Sequence, residues 1–202
     1  MQTQKFSFAA MAIALLLSTN ITAQSAATGT INGHDYVDLG LSVKWATCNV
    51  GASSPSDYGD YFAWGEAETK SEYTIENSAT YGKDNFTFHD AAAENWGGSW
   101  RMPTKAECEE LINNCTCTWT IIDGHKGCKL TSEKNGNSIF LPAAGYRNDT
   151  QLYRADEWGI YWSSSPGESN SSDAYNLGFD GGYHTVVWSC RYNGLSIRPV
   201  TE

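Results

Sequence analysis

From Thr116 onward the chain is cut into short apolar runs by turn signals, and this punctuation constrains the fold more than any single residue does. Thr116 to Ile122 and Cys128 to Ser132 flank Asp123-Gly124, which predicts a hairpin. Ser138-Ile-Phe-Leu141 is a strand-like run that leads into Pro142-Ala-Ala-Gly145, and Tyr161-Trp-Ser-Ser-Ser165 is another. Tyr175 to Phe179 and Tyr183 to Trp188 flank Asp180-Gly181-Gly182, a second hairpin signal. Ser196 to Val200 is read as the last strand. Further upstream, Tyr36-Val-Asp-Leu and Ser42-Val-Lys-Trp-Ala46 are short alternating runs around a glycine, and Val50 to Glu68 reads as an ordered loop.

Helical signals are few. Thr104 and Glu107 have the spacing of a capping box, in which each side chain satisfies a backbone N–H at the helix start. Cys108, Leu111, Ile112 and Cys115 follow at helical period and form one buried stripe. A second, weaker helix starts at Asp90, runs through Ala91-Ala-Ala-Glu94 and stops at Gly97-Gly98. Two helices early and a meander of short strands later predict an α+β domain with segregated elements.

The first residues read as an export signal. Lys5 precedes an apolar run from Phe8 to Leu17, and Ile21-Thr22-Ala23 offers a small residue for cleavage. That run falls short of the ~20 apolar residues that span a bilayer. The reading is therefore a signal peptide over residues 1–23, a flexible lead-in over 24–32 and one domain over 33–202. No integral membrane segment is expected after cleavage, and a periplasmic or extracellular location follows. Acidic residues exceed basic ones by ten, 23 against 13, a balance that repels phosphate backbones and argues against nucleic acid as a partner.

Six cysteines, Cys48, Cys108, Cys115, Cys117, Cys128 and Cys190, fall in the exported part. In an oxidising compartment such a count points to disulfides or to inert buried thiols. Their spacing lacks the paired knuckles of a zinc site.

The run from Gly40 to Ala52 (GLSVKWATCNVGA) resembles the opening of the major-paralogous-domain (FISUMP-type) proteins of gut and rumen bacteria. Tyr58 to Glu66, Trp100-Arg-Met-Pro-Thr104, Phe140 to Arg147 and Tyr161 to Ser165 carry the same resemblance in order. It covers about residues 33–200. More distantly, Arg101 to Cys108 is similar to the helix entry of formylglycine-generating enzymes, and Ser196-Ile-Arg-Pro to their C-terminal strand. The resemblance implies a C-type-lectin-like fold, with two helices packed on short, mostly antiparallel strands. In sequences of this kind the positions of Cys108 and Cys128 usually hold aromatics that pack helix against sheet. The resemblance thus implies a Cys108–Cys128 disulfide, with Cys48 and Cys115 as the next pair.

Enzyme readings find little support in the residues. The formylglycine-generating activity resembles copper-dependent oxidation at a closely spaced cysteine pair near the C-terminus, and here Cys190 stands alone. Ser163 to Ser165 form no Gly-x-Ser-x-Gly elbow. His34-Asp35 and His89-Asp90 are chain neighbours, whose side chains point apart on a strand. Asp57, Asp60, Glu66 and Glu68 are read as a solvated acidic loop, with a calcium ion left open. No catalytic residue, cofactor or metal ligand is assigned.

Residues 166–195 carry the binding expectation. The stretch is rich in Ser, Asn, Tyr and Gly, a palette that paratopes share. If Leu177 and Phe179 face the core, then Asn176, Gly178 and Asp180 face out, with Tyr183, His184, Trp188, Tyr192 and Asn193 on the neighbouring face or loops. In the retroelement-diversified proteins that this chain resembles, the variable ligand face lies in the same region. The functional expectation is a secreted, non-catalytic recognition module for a glycan or a surface protein. A structural or assembly component of the bacterial cell surface is the alternative, and a formylglycine-type oxidase comes third. Trp45, Trp64, Trp96, Trp100, Trp119 and Trp162 are assigned to the scaffold, and Arg101 and Arg198 to anchoring loops.

Overall fold

The computed structural model describes residues 24–202; the expected signal peptide lies outside them. Among these residues helix forms in two places. Asp90 accepts from the backbone N–H of Ala92 and Ala93 and starts α1 (Ala91–Trp96), which stops at Gly97. Thr104 and Glu107 form the anticipated capping box at the start of α2 (Lys105–Asn113). Arg101 grips Glu107 with both terminal guanidinium nitrogens, at 2.8 and 2.6 Å.

The remaining structure is strand and ordered loop. β1 (Gly29–Ile31), β2 (His34–Val37), β3 (Lys44–Ala46) and β12 (Val200–Thr201) make one antiparallel sheet. β4 (Cys115–Ile122), β5 (His125–Ser132) and β6 (Ser138–Pro142) make a second. β7 (Tyr146–Asn148) and β8 (Gln151–Tyr153) pair alone. β9 (Gly159–Pro166), β10 (Asp173–Phe179) and β11 (His184–Cys190) form the second three-stranded sheet, in spatial order β11-β10-β9. The β4–β5 turn has Asp123 at φ 50° and Gly124 at φ 90°, the backbone that an Asp-Gly hairpin favours.

The expected α+β, C-type-lectin-like arrangement is overturned. Among the described residues, twelve strands in four small antiparallel sheets dominate, and the two helices are six and nine residues long. Helices this short bury a narrow stripe. Much of the buried apolar surface instead comes from strands and from ordered loops such as Tyr61 to Trp64. Three local corrections follow. Gly29–Ile31, expected in a flexible lead-in over 24–32, forms β1, and Ser25 N–H already bonds Ser138 O at 2.9 Å. Ser196 to Val200 is not one strand, because Arg198 turns into the interior and only Val200–Thr201 pairs with β3. The one disulfide among the described residues joins Cys117 to Cys128, with Cα atoms 5.5 Å apart.

That last feature corrects the pairing implied by resemblance. Cys48, Cys108, Cys115 and Cys190 are free thiols. Cys128 has a partner closer than the helix. In the β4–β5 ladder Cys117 opposes Leu130 and Trp119 opposes Cys128, so Cys117 and Cys128 are diagonal neighbours on one face.

Two clusters make the main core. One gathers Val37, Leu39, Trp45, Cys108, Leu111, Cys128, Leu141, Leu177 and Phe179. The other holds Phe62, Trp64, Trp96, Trp100, Met102, Trp162 and Ile197. Trp64, Trp100 and Trp162 donate their indole N–H to Ser163 O, Ile31 O and Phe62 O at 2.8 to 2.9 Å. They are scaffold, with the polar atom satisfied as burial requires. Trp45 Nε1 is the exception, buried without a partner.

Candidate functional site

The β9–β10–β11 sheet has two unlike faces. Side chains directly opposite on paired strands share a face. Leu177 opposes Tyr161 and Val186, and these three pack into the first core cluster with Phe179. The other face carries Trp162, Asn176 and Val187 in one row and Ile160, Gly178 and Thr185 in the next. Trp162 is sealed in the second cluster. One row further along the cover ends and the face opens into a groove of about 360 Å³.

Gly178 makes the floor. A Cβ built there would find Val187 Cγ2 at 3.5 Å and Asn176 Oδ1 at 3.8 Å, ordinary contact distances. The floor is therefore open because this residue has no side chain. Trp158, Ile160 and Val187 form apolar walls, and Tyr183 and Trp188 stand at the rim. Tyr183 and Trp188 are 61% and 64% exposed, the highest values among the exposed large hydrophobic side chains of the described residues.

The polar groups of the groove are few. Asn176 is fully buried; its Nδ2 donates to Ser189 Oγ at 3.0 Å, while its Oδ1 has no partner. An orphaned buried acceptor costs ~1–3 kcal/mol. It is also a rare feature of native structures and one that a ligand can relieve. Asp180 accepts from Gly182 N–H at 2.8 Å through Oδ1.

Of the residues anticipated on this surface, Asn176, Asp180, Tyr183 and Trp188 line the groove together. Asn176 lies on the side away from Leu177, as alternation requires, but beneath the surface rather than on it. Trp188 opposes Tyr175, so its ring leaves β11 on the side away from Val187 and reaches the groove only at its edge. His184 opposes Phe179 and is exposed outside the groove. Tyr192 packs edge-on against Tyr81 with centroids 5.1 Å apart, and burial pushes its hydroxyl pKa up. Asn193 accepts from Asn148 Nδ2 at 3.2 Å. Both belong to a neighbouring turn.

Trp158, Ile160, Thr185, Val187 and Ser189 were missed. For Ile160 the signal was present: counting back by two from Trp162 puts it on the same side, whereas Trp158 precedes β9 and lies outside that count.

A larger concavity of about 600 Å³ lies beside Trp64, Phe86 and Arg191. Arg191 sits over the Trp64 ring at 4.5 Å and donates to the backbone oxygens of Asp173, Thr80 and Lys83. Its hydrogen bonds staple loops together. No group of three or more His, Cys, Asp or Glu among the described residues converges as a metal site. In the acidic loop, Asp57 is engaged by Ser53 and Ser54, and Glu66 by Ala79 N–H and Lys70.

A family model described as "Domain of unknown function (DUF8237)" matches residues 129–200. That span runs from Lys129 in β5 to Val200 in β12 and contains every residue of the groove. No curated protein and no solved structure matches the chain.

Proposed function

We propose that the chain is a secreted, non-catalytic recognition module that holds a glycan or a protein of the cell envelope or its surroundings in the β9–β10–β11 groove. The observation that carries this reading is the conjunction at Gly178. A side-chain-free floor, an unpartnered buried acceptor and exposed aromatic rims meet within one concavity. Ligand pockets share this make-up of apolar walls with a few placed polar groups. Export is supported by the Cys117–Cys128 disulfide, since such bonds persist in oxidising compartments. Relatedness to the major-paralogous-domain family belongs to the same proposal. Cys190 is a poor candidate for thiol chemistry: burial and then Asp173 push its pKa up, whereas a reactive thiol needs it lowered.

The test is a glycan array and a bacterial surface-protein array probed with the wild type and with the Tyr183→Ala, Trp158→Ala double variant. Binding that falls at least tenfold with an unchanged melt supports the reading. Unchanged binding would assign the ligand to another surface.

One observation favours a second reading, assembly into a surface structure. β11 is a sheet edge, and its sequence HTVVWSC has none of the Lys, Glu or Pro that usually guard an edge. In this reading a partner strand docks on that edge.

A further inference from the structure

We propose that the groove is a subsite for a neutral saccharide unit, bound without a metal ion; this deepens the recognition reading and rests on it. The groove lining contains no Lys, Arg or His, and its one carboxylate is Asp180. Arg154, 5.0 Å over the Trp158 ring, is paired with Glu157 at 2.8 Å, so an acidic chain with no unpaired cation at the groove disfavours uronates, sulfates and phosphates. A cationic ligand would meet a single carboxylate, one oxygen of which is already taken by Gly182 N–H.

The second step is shape. A volume of about 360 Å³ lies at the small end of ligand pockets, ~300–1,000 Å³. It accommodates sugar-sized rings rather than a folded domain. The walls offer Ile160, Val187 and the ring of Trp158, against which the C–H face of a pyranose can lie.

The third step is hydrogen bonding. Ser189 Oγ accepts from Asn176 Nδ2, which leaves the serine O–H available to donate. Asn176 Oδ1, beneath the void over Gly178, needs a donor. Asp180 supplies a second acceptor at the far end of the groove, and Thr185 a hydroxyl beside Gly178. A ligand hydroxyl both donates and accepts, so adjacent hydroxyls on one ring can answer this mixture. Val187 borders the same void, and Oδ1 is itself closed off, so the groove lining must shift for a hydroxyl to reach it. An extended peptide would instead find its natural hydrogen-bond partners along the β11 edge, outside the groove.

The full exported chain is screened on an array of neutral cello-, malto-, manno- and galacto-oligosaccharides, with acidic glycans and extended peptides alongside. Hits are titrated by calorimetry with and without EDTA. The expected result is binding of at least one neutral oligosaccharide that EDTA leaves unchanged. Gly178→Val should weaken it about tenfold or more, because the new side chain fills the void while a β-branched residue suits a strand. Trp158→Ala, at an exposed position, gives a second reading should Gly178→Val fold poorly. Neutral-saccharide binding that survives both variants, or that needs the metal, overturns the proposal. Peptide or acidic-glycan binding that both variants abolish overturns the saccharide assignment but keeps the groove as the recognition surface. Binding to none of the probes removes both.

Discussion

Arg198 Nε donates to Asn49 Oδ1 at 2.8 Å, and both side chains are buried. Nη1 donates to the carbonyls of Ala46 and Thr47 and Nη2 to that of Phe140, so the fork ties the β3 end to β6 across the first core. Burial lowers the guanidinium pKa, with Tyr161 opposing. No carboxylate bonds this charge; neutral oxygens carry it.

Arg198→Met should therefore destabilise strongly, by about 4 kcal/mol, since it strands Asn49 Oδ1 and three carbonyls in the interior. Arg198→Lys should recover less than half, because an ammonium cannot match a planar fork of five donors. Urea melts of the three proteins decide it. A lysine variant equal to wild type would show that charge, and not geometry, holds the site.

Glycine substitutions should rank by what stands in the way. At Gly145, with φ 65°, a Cβ would lie 2.1 Å from the backbone oxygen of Tyr153. At Gly159 it would lie 1.9 Å from Phe179 Cζ, a ring that stacks on Tyr161. A ring can tilt, whereas backbone cannot yield without opening the turn. Gly159→Ala should cost ~1–3 kcal/mol and Gly145→Ala more, with a larger drop in melting temperature.

The capping box should show in acid. Burial raises the Glu107 pKa, but the bonds from Arg101 and from Thr104 outweigh it and hold the carboxyl below its ordinary value. A group depressed in the folded state stabilises above its unfolded pKa and loses that contribution as pH falls through the folded one. Glu107→Gln should thus lower the melting temperature at pH 7. The gap from wild type should close at the acid end, below the usual glutamate range. A gap that stays constant with pH would assign the effect to lost packing.

The thiols should react in an order set by burial. Burial drives the Cys108 thiol pKa far up and the Cys115 thiol up to about 11. Cys48 and Cys190 are half-buried. Maleimide on the native protein at pH 8 should label the latter two first, and four thiols should count in unreduced denaturant. Six would show the Cys117–Cys128 bond absent. Reducing that bond should cost about 2–3 kcal/mol, from the entropy of a short closed loop.

Local chemistry was legible in the sequence, and long-range placement was not. The Thr104–Glu107 cap, the Asp90 start of α1 and the hairpins at Asp123-Gly124 and Asp180-Gly181-Gly182 depend on neighbours within a few residues. They came out where the pattern put them. Which sheet stacks on which depends on residues a hundred positions apart, as in Trp162 Nε1 to Phe62 O, and no spacing encodes that. The same limit governs the groove. Alternation sent Asn176 away from Leu177, but only the packing of Trp162 beside it decides that Asn176 is covered. Trp158 precedes the strand, where the period-two count no longer applies without the structure.

The two readings of the C-terminal face part company at Trp188. The pair Asp180–Tyr183 is hydrogen-bonded across the hairpin, as is Ser172–Arg191 at its other end. Such pairs alternate along an antiparallel ladder. Tyr175 and Trp188 therefore form a non-bonded pair, and the Trp188 N–H points outward from the β11 edge. Trp188→Pro removes that outward donor without removing a bond to β10, whereas Trp188→Ala removes only the ring. The ring is 64% exposed, so the alanine variant should melt within a few degrees of wild type. If the groove and its rim bind the ligand, alanine should weaken binding and proline should weaken it no further. If a partner strand docks on the edge, alanine should be nearly silent and proline should abolish assembly, because strand addition depends on main-chain donors and acceptors. Calorimetry for ligand and sedimentation for assembly, run on both variants, separate the outcomes. Loss in proline alone would move the function from the face of the sheet to its edge.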